Sequence, residues 1–123
     1  MSAAGESVLV VDDDVAILEM IRLVLEGSGH CVATARDGVE ALTRLRSDAP
    51  KPCLILLDLM MPRMNGWDFR AEQVRDPKLA EIPVCVLTGD RDAAGKAAAL
   101  GVAGYHDKPI DLDSLLETVA RYC

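Results

Sequence analysis

Aromatic side chains are scarce in this 123-residue chain: Trp67, Phe69, Tyr105 and Tyr122 are the full set. Four rings cannot build the stacking platform that single-stranded nucleic acid needs. Positive charge is short as well, with 13 Lys and Arg against 20 Asp and Glu and a formal net charge of -7. That balance argues against nucleic acid or an anionic membrane surface as a direct partner. No apolar run approaches the roughly 20 residues of a membrane span. The opening Met1-Ser2-Ala3-Ala4-Gly5-Glu6 has no basic start and no long apolar stretch, so no secretory signal is expected. Cys31, Cys53, Cys85 and Cys123 form no C-x-x-C pair. They read as small buried hydrophobes in a reducing compartment, not as disulfides or metal ligands. A cytoplasmic location is the matching expectation.

Apolar residues, in contrast, make up half the chain and charged ones only 27%. A packed core is therefore expected, and the length suits one domain over residues 1–123. No repeat, low-complexity tract or linker interrupts it. The pattern alternates strand and helix five times. Strands are expected at 7–11, 31–35, 53–58, 83–88 and 102–106, and helices at about 14–26, 37–48, 65–75, 91–100 and 111–122. Ile17, Leu18, Ile21, Val24 and Leu25 make one apolar stripe at helical spacing, behind Asp14 as a cap and ahead of Gly27 and Gly29. Leu112, Leu115, Leu116 and Val119 repeat the pattern behind Asp111. The first, third and fourth strands are apolar without alternation, as in a parallel sheet covered on both faces. The second and fifth are weaker and suit sheet edges. Strict alternation with right-handed crossovers predicts an α/β, doubly wound, five-stranded parallel sheet of flavodoxin-like type with five helices. Strand order 2-1-3-4-5 would set strands 1 and 3 side by side at the switch point, where ligands bind.

Four strand ends carry the polar chemistry. Val8-Leu9-Val10-Val11 runs into Asp12-Asp13-Asp14, and Leu54-Ile55-Leu56-Leu57 into Asp58. Val84-Cys85-Val86-Leu87 runs into Thr88, and Lys108-Pro109 follows the last strand. Asp12, Asp13 and Asp58 in one crevice would repel each other, and a divalent cation removes that conflict. All-oxygen ligation with open water positions favours magnesium, and no His or Cys clusters here to favour zinc. Negative charge at a helix start accounts for Asp14 but poorly for the two acids before it. A carboxylate can act as nucleophile toward a phosphoryl group. Lys108 offers a point charge for phosphoryl oxygens and Thr88 a hydroxyl donor.

These four motifs, Val10-Val11-Asp12-Asp13, Leu57 through Gly66, Leu87-Thr88-Gly89 and Lys108-Pro109, resemble the receiver domain of two-component response regulators. They appear in order over nearly the whole chain. The resemblance implies that Asp58 is the phosphoacceptor and that Asp12 and Asp13 organise magnesium, Asp13 more directly. It adds the backbone carbonyl of Met60 as a ligand. It makes Thr88 the switch hydroxyl, Lys108 the lysine followed by a cis Pro, and Tyr105 the aromatic that turns inward as Thr88 moves. A histidine kinase or histidine phosphotransfer protein would donate the phosphoryl group. A downstream target protein would bind the surface of helix 4, strand 5 and helix 5. Gly89 and Ile110 depart from the commonest residues of the family, and Met60 and Asp90 stand where phosphoryl lifetime is tuned. Asp90 is either a water-orienting acid or a solvated one. The alanine-rich fourth helix reads as a mobile output element, and core packing is expected of Trp67 or Phe69. His30 and His106 read as surface or turn residues.

Two other functions compete. An Asp-nucleophile phosphatase would want a second acid two residues after Asp58, where Met60 cannot transfer protons. A pseudo-receiver would bind partners without phosphorylation. The signalling reading is not that of an enzyme beyond self-phosphorylation and self-dephosphorylation. The chain reads as a stand-alone regulator, a relay intermediate or a receiver from a longer protein, with Met1 favouring a whole one. It would be a monomer or a phosphorylation-dependent dimer.

Overall fold

The computed structural model describes residues 7–89 and 91–123. The expectations for Asp90 and for residues 1–6 fall outside the described residues. Along the chain run β1 (Ser7–Val11), α1 (Val15–Gly27), β2 (Cys31–Ala35), α2 (Gly38–Leu45) and β3 (Leu54–Asp58). Then come α3 (Gly66–Arg75), β4 (Val84–Thr88), α4 (Ala93–Leu100), β5 (Gly104–Asp107) and α5 (Leu112–Tyr122). All strand pairs are parallel, in the order β2-β1-β3-β4-β5. This is the expected doubly wound sheet, with the two weaker strands at its edges.

Parallel strands covered on both faces bury every residue, and β1, β3 and β4 do so almost without exception. Alternation divides them between two cores. Leu9, Val11, Ile55, Leu57 and Val84 pack with Ala41, Leu42, Leu45 and Phe69 of α2 and α3. Val8, Val10, Leu54, Leu56 and Leu87 pack with Leu18, Ile21 and Leu25 of α1 and with Leu115 and Val119 of α5. Phe69 is fully buried, whereas Trp67 is partly exposed.

Each helix opens on an Asp or Asn whose side chain accepts from the first-turn amides: Asp14, Asp37, Asn65, Asp92 and Asp111. Such a cap has extended or irregular backbone, so each helix begins one or two residues later than the sequence pattern suggested. α2 also ends at Leu45, short of the expected 48. Ser47 Oγ donates to the Arg44 carbonyl, a local bond that competes with helix continuation, and Pro50 lies just beyond. β5 is shifted to 104–107 because Gly104 pairs with Cys85 and Asp107 with Thr88.

The expectation of small buried cysteines outside disulfides fails for three of four residues. Cys53 and Cys123 form a disulfide with Cα atoms 5.6 Å apart, across 70 residues of sequence. The pole of the sheet where β3 begins is also where α5 ends, which no local pattern in the sequence reveals. Cys31 and Cys85 lie outside this disulfide, the first exposed and the second buried. Only Cys85 matches the reading of a small buried hydrophobe, and the disulfide takes away the cysteine argument for a reducing compartment.

Candidate functional site

The strand ladders bring the predicted polar residues to one rim. Val11 pairs with Leu57, so Asp12 and Asp58 emerge from neighbouring strands. Asp58 in turn pairs with Leu87, one residue before Thr88. The Lys108 amide donates to the Thr88 carbonyl at 2.9 Å, placing the lysine at the fourth strand end. A cleft of about 500 Å³ is lined by Asp12, Asp13, Asp14, Asp58, Met60, Thr88, Gly89 and Lys108. Tyr105 stands apart on edge strand β5, opposite Val86, with 42% of its surface exposed. The Lys108–Pro109 bond is cis.

Asp12 is wholly buried and both its oxygens are engaged. Oδ1 accepts from the Asp14 amide and Oδ2 from Lys108 Nζ, each at 2.9 Å. Asp58 is nearly buried. Its Oδ1 accepts from the Met60 amide at 3.2 Å and lies 3.5 Å from Lys108 Nζ. Burial, reinforced by the Asp12 charge, lifts the Asp58 carboxyl to about 6, with Lys108 opposing the rise. Lys108 loses hydration, yet its contacts with Asp12 and Asp58 hold its pKa above the usual lysine range. Two buried acids with one ammonium remain short of positive charge.

One oxygen from each of Asp12, Asp13 and Asp58 lies within 4.8 Å of the others, two residues buried and one exposed. These hard oxygen donors at an open cleft fit a small divalent cation such as magnesium. Met60 lines the same cleft and is 75% exposed.

The loop after Asp58 is held tightly. Gly66 donates to the Leu59 carbonyl at 3.0 Å, and a Cβ on Gly66 would sit 2.7 Å from the Asp58 carbonyl oxygen. Only glycine fits that approach. Sequence reasoning missed the loop's other anchor. Arg63, with φ 61°, pairs with the carboxylate of Asp37, which is nearly buried at the start of α2. The hint in the sequence is Asp37-Gly38 ahead of a helical stripe, but a cap position does not reveal a buried ion pair. Arg70 was missed too: it donates to the Leu100 and Gly101 carbonyls, tying α3 to the end of α4.

Comparison with known proteins agrees with this geometry. The family model described as response regulator receiver domain matches residues 8–120. The chain is 40% identical over 111 residues to the response regulator MprA of Mycobacterium avium, covering 89% of this chain and 47% of that protein. It thus spans about half the length of the curated relatives it matches. A response regulator receiver protein from Pseudomonas putida superposes with TM-score 0.86 at 32% identity, over 98% of this chain and 99% of that one. The chemotaxis response regulator CheY4 of Vibrio cholerae gives TM-score 0.83 at 30% identity, over 96% and 98%.

Proposed function

The chain belongs to the response regulator receiver domains of two-component systems, and from that premise we propose that Asp58 accepts a phosphoryl group and thereby switches a partner-binding surface. The observation that carries this reading is the meeting of Asp12, Asp58, Thr88 and Lys108 in one acidic cleft at four strand ends. A histidine kinase or histidine phosphotransfer protein is the donor. The new bond runs from an Asp58 carboxylate oxygen to phosphorus, as the bond from phosphorus to the donor's imidazole nitrogen breaks. The lifted pKa of about 6 leaves Asp58 ionised at neutral pH and able to attack.

Bound Mg2+ would neutralise the charge of the incoming phosphoryl oxygens. Asp12, Asp13, Asp58 and the Met60 carbonyl would hold it. Lys108 already bridges Asp12 and Asp58 and is placed to pair with the new oxygens. Phosphorylation brings the group to a charge of roughly -1.5 to -2 with added acceptor oxygens, a stronger partner for Thr88 and Lys108. Thr88 moves toward it, and Tyr105 turns from its exposed position into the space released. The surface of α4, β5 and α5 changes shape, and a downstream protein or a second phosphorylated copy reads it. The chain acts as a single domain and a switch, not on a separate substrate. The proposed setting is the cytoplasm. No helix among the described residues is long and apolar enough to cross a membrane.

Intact mass after incubation with acetyl phosphate and Mg2+ tests the reading. Wild type should gain one phosphoryl group; Asp58→Asn, or wild type with chelator, should gain none. A folded wild type that stays unmodified under all conditions would leave a module that binds without phosphorylation.

A further inference from the structure

The loop that follows Asp58 carries Met60, and its distal half is fastened to an element that contributes nothing to the cleft. Arg63 sits in left-handed backbone, and its Nε donates to Asp37 Oδ2 at 2.6 Å. A second guanidinium nitrogen reaches the same oxygen. The guanidinium side is largely exposed, but the Asp37 carboxylate is 4% exposed. The other oxygen, Oδ1, caps α2 by accepting from the Glu40 amide at 2.9 Å. Next to it, the Gly38 amide donates to the Met64 carbonyl at 3.0 Å, and a Cβ on Gly38 would collide with Met64 Cγ at 2.6 Å.

Capping alone does not require this charge. Asparagine caps helices as well as aspartate, without placing an ion out of water. The charge is accounted for by Arg63. Surface loops move by default, and this one is pinned at 63–64 to α2 and at 66 to Leu59.

We propose that the Asp37–Arg63 pair is a positioning device for the phosphorylation site. It holds the segment between Asp58 and Gly66 in the conformation that presents Asp58 and the Met60 carbonyl to the divalent cation. This rests on the phosphoacceptor reading above. Neither residue touches the cation or the phosphoryl group; both act through the loop.

Asp37→Asn is the sharpest variant, since the amide oxygen keeps the α2 cap while the charge is lost. Arg63→Gly removes the guanidinium in a residue that suits left-handed backbone, and Arg63→Lys keeps a point charge. Titration with Mg2+ alone, followed by the amide NMR shifts of residues 12–13 and 58–60, reads the site without turnover. The half-saturating Mg2+ concentration should rise about tenfold in Asp37→Asn and in Arg63→Gly, the effect typical of outer-shell partners of a metal ligand. Arg63→Lys should recover part of the loss, and the double variant should be no worse than either single one. Arg63→Gly leaves the Asp37 carboxylate unpaired and should lower the thermal midpoint, whereas Asp37→Asn, which removes the charge with the pair, should change it less. A lowered midpoint with unchanged Mg2+ dependence would overturn the proposal and leave a purely structural pin. Should Asp37→Asn fail to fold, Arg63→Gly, which spares the cap, decides the matter. A wild type that shows no Mg2+ response sinks the phosphoacceptor reading and this proposal together. A responsive wild type matched by its variants sinks the positioning role alone.

Discussion

The centre of the sheet and its α4–β5 flank are built differently. In β1 and β3 nearly every residue is buried and large, and the two strands carry Asp12 and Asp58. In α4 only Ala93 and Ala97 are buried, and β5 alternates between half-buried and exposed residues. A methyl group removes far less apolar area from water than a leucine side chain, so α4 is held weakly against the sheet. Charge that must stay in a defined geometry thus rests on the stiff part, and the flank that would respond to it is thinly packed. Arg70 moderates the contrast by bonding the end of α4 to α3.

The largest expected effect comes from breaking the stiff half. Leu56 is fully buried between α1 and α5, and Leu56→Ala should cost about 3–4 kcal/mol in urea unfolding. A cost near that of an exposed site would show that the centre is no stiffer than the flank.

Next comes the charge that the stiff half confines. The Asp58 carboxyl is lifted from 3.8 to about 6, so the folded chain retains a proton that the unfolded chain releases in this window. Stability therefore falls as pH rises from about 4 to 6, and the full cost stands above 6. Without divalent cations, Asp58→Asn should be about 2 kcal/mol more stable than wild type at pH 8, with the gain shrinking toward pH 4. Thermal unfolding across pH checks this, and a gain independent of pH would contradict it.

The smallest effect is expected in the flank. Ala98→Gly on the exposed side of α4 should cost about 1 kcal/mol, the propensity difference with little lost packing. Hydrogen exchange should show α4 amides opening well below the global unfolding free energy, with those of β3 near it. Equal protection in both would erase the distinction.

Much of this contrast was legible in the residues. The runs Val8–Val11 and Leu54–Leu57 are apolar without a break, which only burial on both faces explains, and their terminal acids mark the carboxyl rim. The scarcity of large side chains in Ala93–Leu100 likewise foretold a lightly anchored helix. Helix starts were displaced because a cap residue belongs to the pattern of the helix but not to its backbone. Asp37 could be read as a cap but not as a buried partner of Arg63, since the two stand 26 residues apart.

The sequence by itself determined the strand–helix alternation and the residues at four strand ends, because burial and capping are local demands met by local residue types; the strand order followed from it only through the handedness of the crossovers. Tertiary structure alone decided that Cys53 joins Cys123 and that Lys108 spans Asp12 and Asp58. It alone set Arg63 on Asp37. Each of these depends on which distant segments the crossovers bring together, and on the low solvent exposure that only the assembled sheet provides.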